Sequence, residues 1–407
     1  MPEQVRRSLP LEGIRVLELG DFVAGPTAGR LMAEFGAEVL KVEKPGAGDQ
    51  VRQWRLYGDE VSMLWRTLAR NKKSVTVDLS RAEGAELIRV LVRRCDVLIE
   101  NFRPSKLESW GIGPDVLRRE NPSLVIVRIS GFGQSGPYRN RVGFGGVAEA
   151  MGGLRGTTGY PDRPPTRVGV SIGDTLAGLY AVIGALMALL NARRTGERRG
   201  ETVDVALADA VLSVMESLIP EYSAYGVLRE RAGNRMEGVT PSNTYPCRDG
   251  EWVIIGGNTD SVFRRLMNLI GRPDLGADPE LSGNDGRNRR AAELDRAIGE
   301  WTRGQSLADA VNALVREGVP AGPIYDAAGI VADEQFRARS MVVEDTTSVH
   351  GRLRKVLFPG VVPKLELHPG EHRWLGPELG AHTSEVLLGV AGLSLQEIQD
   401  LADKGVI

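Results

Sequence analysis

Hydrophobic positions follow two rhythms in the first half of the chain. Compact runs rich in β-branched and aliphatic residues occur at IRVLEL (14–19), AEVLKVE (37–43), SVTVDL (74–79), DVLIEN (96–101) and LVIVRIS (124–130). Between them, residues 28–35 and 82–94 repeat their apolar positions at helical spacing. Strands that are apolar on both faces, alternating with helices, predict a parallel sheet covered by helices, an α/β architecture. TVDVAL (202–207) predicts a further strand leading into a helix from Ala208. Residues 174–193 carry apolar side chains on nearly every side, which predicts a long buried helix.

The pattern changes after residue 228. RERAGNRMEGVTPSN (229–243) is polar and glycine-bearing and reads as a linker. Residues 244–325 predict a smaller α+β domain, with a strand at 252–257 and helices near 260–270, 289–303 and 306–317. Residues 326–407 form a tail of short strands closed by a helix at 395–404.

Composition narrows the function. A net charge of -2 removes the basic footprint of a nucleic-acid binder. Cys95 and Cys247, the only cysteines, are too few for a disulfide framework or a cysteine-ligated zinc, and fit a reducing, cytoplasmic setting. The start MPEQVRRSLPLEG lacks the apolar core of a signal peptide, and the longest apolar run (176–190) is shorter than the roughly 20 residues a bilayer needs. No membrane partner is expected. His350, His368, His372 and His382 show no metal-ligand spacing, so no metal is expected.

Three features invite chemistry. Gly20, Gly25 and Gly29 lie between the first strand and helix, with Glu43 ending the second strand. They do not make G-x-G-x-x-G, and Pro26 removes an amide donor, which argues against a nicotinamide dinucleotide; the loop still sits where open α/β sheets bind ligands. Lys44, Arg70, Lys72, Lys73, Arg103 and Lys106 fall at or near strand ends. They are either solvated surface charge or a cluster that neutralises a polyphosphate. Asp174, in GVSIGDTLAGLY (169–180), opens the long apolar helix. It is either a helix N-cap, a role worth about 1 kcal/mol, or a nucleophile with glycines around it to admit a bulky ligand. A carboxylate nucleophile needs donors for the developing oxyanion. Gly256 and Gly257, after the strand residues 252–255, are candidate donors or a plain turn.

Several longer stretches carry a resemblance: AGPTAGRLMAEFGAEVLKVEKPGAGD, ARNKKSVTVDL, DVLIENFRP, ISGFGQSGPY, GVSIGDTLAGLYAVIGAL and LGPELGAHTSEVL. Together they resemble the class III CoA-transferases, the family of formyl-CoA transferase and carnitine CoA-transferase. Within it the chain is similar to the succinyl-CoA–dicarboxylate transferases. The resemblance implies a large Rossmann-like domain completed by the C-terminal tail, a small domain, and a homodimer of interlocked rings. It implies a CoA thioester as co-substrate, a carboxylic acid acceptor and no permanently bound cofactor. Asp174 matches the catalytic aspartate, which forms an acyl anhydride and then an aspartyl-CoA thioester. Asp21, Phe22, Val23, Lys44, Lys72, Asn101 and Phe102 match CoA-binding positions.

The chain departs from formyl-CoA transferase in three places. Its first loop has no matching histidine or glutamine, Lys44 stands in place of an arginine, and the glycine run over the site is reduced to Gly256-Gly257-Asn258. A dicarboxylate acceptor calls for a cation at its distal carboxylate, with Arg52, Arg55, Arg70 and Arg167 as candidates. Two other readings share the resemblance. An α-methylacyl-CoA racemase needs a histidine before the aspartate, where this chain has Phe144. A CoA-binding sensor would keep the fold without turnover.

Overall fold

The computed structural model of the protein describes residues 8–58, 61–196 and 199–407. Its larger sheet is built from β1 (Arg15–Glu18), β2 (Glu38–Glu43), β3 (Lys72–Thr76), β4 (Val97–Glu100), β5 (Val125–Ser130) and β6 (Thr202–Ala206). All neighbours pair in parallel, in the order β3-β2-β1-β4-β5-β6. This is the doubly wound Rossmann order, whose reversal between β1 and β4 opens a crevice beyond the strands' carboxyl ends.

Alternating strand residues feed two cores. On one face Leu17, Leu40, Val75, Leu98 and Ile126 meet Leu87, Ile88 and Leu91 of the helix Ala82–Val92. Each of those helix side chains stabilises by about 1.5–3 kcal/mol through burial. Val386, Leu387, Ile398 and Val406 of the tail complete that face, and the closing helix Leu395–Asp403 starts with a Ser394/Glu397 capping box. On the other face Val16, Val39, Val97 and Val127 meet the helices Ala24–Glu34 and Ile172–Thr195. An antiparallel hairpin, Val342–Val349 with Arg352–Pro359, also belongs to this unit.

The helix Ile172–Thr195 departs from expectation. It buries a stripe of small residues, Gly173, Ala177, Gly178, Ala181, Ala185 and Ala188, and exposes Leu179, Ile183, Met187 and Leu190. The reason is close approach: a Cβ at Gly178 would lie 2.9 Å from the Ala24 carbonyl oxygen. At 24 residues it is long and apolar enough to cross a bilayer by length and composition, although its small-residue stripe packs on protein.

A second compact unit comprises residues 155–167 and 218–334. It holds an antiparallel sheet of Ser242–Pro246, Trp252–Gly256 and Ala321–Pro323, with Val253, Ile255, Phe263, Leu266, Ile298 and Leu314 in its core. Residues 229–243, expected as a linker, lie inside this unit and are tied into it. Arg229 pairs with Glu221, and Arg235 with Asp295. Arg231 also donates to the carbonyls of Tyr160 and Arg163, which draws 155–167 into the same unit.

Candidate active site

The loops leaving β1, β4 and β5 and the start of the helix Ile172–Thr195 surround a cavity of about 330 Å³. Phe22, Val23, Asn101, Phe102, Phe144 and Asp174 are among the residues that line it. Asp174 is not the cap. Ser171 holds that position, and Asp174 is the third residue of the helix, half-buried in its first turn. The positive end of the helix dipole favours a carboxylate there. Its carboxylate faces the helix Gly145–Met151 so closely that a Cβ on Gly145 would lie 2.1 Å from Asp174 Oδ2.

The first loop is held from two sides. Asp21 N donates to Asn101 Oδ1 at 2.8 Å, and Asn101 Nδ2 donates back to the Asp21 carbonyl at 2.7 Å. Phe22 adopts a left-handed backbone with φ of 65°, a conformation uncommon outside glycine. It is kept there because its N–H donates to Asp49 Oδ1 at 3.1 Å and its ring packs on Trp54, with centroids 5.5 Å apart.

Beneath that loop lies a buried charge cluster. Lys41 is fully buried, with its ammonium 2.8 Å from Asp49, 3.4 Å from Glu18 and 3.7 Å from Asp21, and it also donates to the Gly20 carbonyl. Burial opposes its charge, but the surrounding carboxylates, Asp49 foremost, outweigh that and raise its pKa. Burial pushes the Asp21 carboxyl up to about 6; Lys41 opposes that rise, while Asp49, Glu43 and Glu18 add to it. Gly29 leaves room for the Glu18 carboxylate, which a Cβ there would meet at 1.8 Å.

A smaller cavity of about 200 Å³ shares the lining residue Phe102 with the first. Its lining includes Asp21, Lys44, Asp78, Ser80 and Trp110. The fold thus gathers Asp21, Phe22, Val23, Lys44, Asn101 and Phe102 around two hollows that share Phe102, one of which is lined by Asp174.

Several expected residues are corrected. Lys72 is fully buried, and its ammonium is 2.7 Å from Glu18 and 2.8 Å from the Pro26 carbonyl oxygen, so it holds the core rather than a phosphate. Burial lowers its pKa to about 8 despite Glu18. Arg52 grips both oxygens of Glu43, at 2.7 and 2.9 Å, and stacks on Trp65. Arg70, also buried, pairs with Glu34 at 2.5 Å. Neither guanidinium is available to a substrate. Lys73 pairs with Glu38 and Glu385. Of the expected basic cluster, Lys44 and Arg103 line the cavities, and Lys106 lies over the Trp110 ring.

Gly256 and Gly257 are not oxyanion donors. Their N–H groups donate to the carbonyls of Pro320 at 2.9 Å and Pro241 at 2.8 Å, within the second unit. Gly257 is there for packing, since a Cβ would meet Leu266 at 2.8 Å. Arg167 is exposed in the second unit, and Arg55 is exposed beside Trp54. The tail histidines are placed elsewhere: His382 Nδ1 accepts from Ser74 N at 3.2 Å, and His372 meets Asp345 at 2.6 Å.

Sequence reasoning missed Trp54, Arg139, Arg141 and Gly145, all of which line the Asp174 cavity. The signal for the last three lay in the glycine-rich stretch after β5, which ends against the aspartate.

The sequence model of CoA-transferase family III matches residues 11–383. The chain is 47% identical over 401 residues to the succinyl-CoA–D-citramalate CoA-transferase of Chloroflexus aurantiacus, covering 98% of each chain. It is 39% identical over 405 residues to the beta subunit of that organism's succinyl-CoA–L-malate CoA-transferase, again over 98% of each. Among solved structures, a CAIB/BAIF family protein from Brucella suis superposes with a TM-score of 0.83 at 33% identity, over 94% of this chain and 100% of that one. Matched over most of its length in sequence and fold, the chain belongs to CoA-transferase family III and is a CoA-transferase.

Proposed function

We propose that the protein moves CoA from succinyl-CoA to a four- or five-carbon dicarboxylate, such as malate, citramalate, itaconate or glutarate, with Asp174 as nucleophile. The observation that carries this reading is the Asp174 carboxylate held against Gly145 in a cavity that shares the Phe102 wall with the Lys44 hollow. The names of the succinyl-CoA-dependent relatives support the donor and the acceptor class.

In this reading Asp174 attacks the thioester carbonyl. The C–S bond breaks, a succinyl–aspartyl anhydride forms and CoA leaves as the thiolate. The thiolate attacks the aspartyl carbonyl, releasing succinate and leaving an aspartyl-CoA thioester. The acceptor carboxylate then attacks that thioester, forming an acceptor–aspartyl anhydride as the C–S bond breaks and the thiolate leaves. Attack of the thiolate on the acceptor's own carbonyl delivers the new acyl-CoA and restores Asp174. Dividing the exchange in this way is covalent catalysis, and it requires water to be excluded from each activated intermediate. Phe22, Val23, Asn101 and Phe102 line the path of the thioester arm, and Lys44 offers a point charge to a phosphate.

A racemase would need a proton carrier where Phe144 stands, two-thirds exposed at the cavity wall; a phenyl ring carries no proton. Two buried free thiols fit a cytoplasmic setting. The exposed apolar side of the helix Ile172–Thr195 fits burial in a homodimer.

An acceptor panel assayed with succinyl-CoA tests the substrate assignment: transfer to dicarboxylates is expected, and transfer confined to formate or carnitine would refute it. Incubation with a CoA thioester and hydroxylamine separates the enzyme from a CoA sensor, which would form no aspartyl hydroxamate.

A further inference from the structure

The residues that line the cavity around Asp174 include three arginines, Arg103, Arg139 and Arg141, and no other acid. Arg103 follows Phe102, on the wall shared with the Lys44 hollow. Arg139 and Arg141 stand on another wall, in the loop 131–143 that leads directly into Gly145. The two ends of this loop are pinched together, because a Cβ on Gly131 would lie 3.2 Å from Gly143 Cα. Its first part is anchored where Gln134 N donates to the Asp204 carboxylate at 2.9 Å. Arg141 is seated on aromatic rings: its guanidinium carbon lies 5.0 Å from the Tyr138 centroid and 6.0 Å from that of Phe132. Those two rings pack edge to face at 5.8 Å.

Arg52 and Arg70 are taken up by Glu43 and Glu34 and by backbone carbonyls of Pro377, Pro359 and Gly360. Arg139 and Arg141, by contrast, carry no ion pair among the described residues, and both are exposed at the cavity. A guanidinium laid on an aromatic shelf keeps its planar fork free and loses less freedom on meeting a carboxylate.

We infer that Arg141, with Arg139 beside it, anchors the distal carboxylate of the acid whose other end reacts at Asp174. This rests on the dicarboxylate reading above. Arg141 and Asp174 line the same cavity of about 330 Å³, and Gly145, four residues after Arg141, lies against the Asp174 carboxylate; a diacid held in that cavity has both groups on its walls. Donor and acceptor acids occupy the same place in turn, so one anchor serves both succinyl-CoA and the incoming dicarboxylate. Arg141 is therefore a specificity-determining residue for the acid, separate from the groups that hold CoA.

The test compares succinyl-CoA with butyryl-CoA, which has the same chain length and no distal carboxylate. Aspartyl hydroxamate formation and kcat/KM are measured for wild type, Arg141→Ala, Arg141→Lys and Arg139→Ala. Arg141→Ala is expected to lower kcat/KM for succinyl-CoA by about 10- to 100-fold, the range for a lost charge-assisted contact, and to leave butyryl-CoA within about 3-fold. Arg141→Lys is expected to fall between, and Arg139→Ala to lose less than Arg141→Ala. Equal losses with both thioesters would assign Arg141 to CoA and overturn the inference. Unchanged selectivity would overturn it as well. If wild type itself showed no preference for succinyl-CoA, the dicarboxylate reading would fall instead. Circular dichroism and melting of the variants, whose changed residues are exposed, check that the fold is unaltered.

Discussion

The Asp174 carboxylate occupies the space a side chain at Gly145 would need: a Cβ there would stand 2.1 Å from Oδ2 and 2.8 Å from Cγ. Gly145 opens a helix without an unusual backbone angle, so alanine is acceptable to the main chain and acts on the aspartate alone. Gly145→Ala is expected to reduce kcat by at least about 100-fold, the scale associated with small misplacement of a reacting group, with CoA affinity retained. Calorimetric titration with CoA, alongside turnover, measures both. A fully active Gly145→Ala would show that the carboxylate position does not matter, and with it that Asp174 is not the nucleophile.

Lys41 balances Glu18 and Asp49, two carboxylates that water does not reach. Lys41→Met leaves Asp49 and Glu18 buried without their cation, and removal of one partner from such a cluster costs about 3–5 kcal/mol. Urea denaturation should register that loss. The double variant Lys41→Met/Asp49→Asn should recover part of it, because one uncompensated charge has been removed. The Phe22 loop depends on Asp49 and should lose CoA affinity in both variants.

Asp21 gives stability a pH signature. Its carboxyl is raised from 3.8 to about 6 in the folded protein, so between those values the folded state binds more protons than the unfolded one. Stability from this group is greatest below 3.8, declines as pH rises to about 6, and is level above that. Subtracting the profile of Asp21→Asn from that of wild type, by urea denaturation at a series of pH values, should isolate this decline. A difference that rises with pH over the same interval would contradict the assigned direction.

Lys44 is exposed at the smaller hollow beside Asp78 and Ser80. Lys44→Ala is expected to raise KM for acyl-CoA by about 5- to 10-fold with kcat within about 2-fold, since a phosphate contact far from the reacting carbon binds ground and transition states alike. Added salt should narrow the gap between variant and wild type by screening the contact that only wild type makes. Lys72→Met should behave differently, lowering stability because the Glu18 carboxylate loses its neighbour.

The layout of the larger sheet was legible from the residues alone. The strands of the parallel sheet are legible because residues buried on both faces must be apolar, as in VIVRIS and VLIE, and their ends fell within a few residues of the observed ones. Asp174 was singled out by its glycine neighbours and by family motifs. Its place in the first turn, rather than at the cap, depends on where the chain enters the helix. Charge roles were not legible. Arg52, Arg70 and Lys72 read as ligand-binding cations beside Arg103 and Lys44. Their carboxylate partners at Glu43, Glu34 and Glu18 are distant in sequence or on other strands, and only folding brings them into contact. The same holds for Gly256 and Gly257, whose amides are taken by carbonyls of Pro320 and Pro241, and for Arg139 and Arg141, which a pinched loop carries to the aspartate. Periodicity records which side of an element faces the core. Whether a charged group or an amide meets a partner or stays open to a ligand is decided by three-dimensional proximity, which the tertiary structure alone supplies.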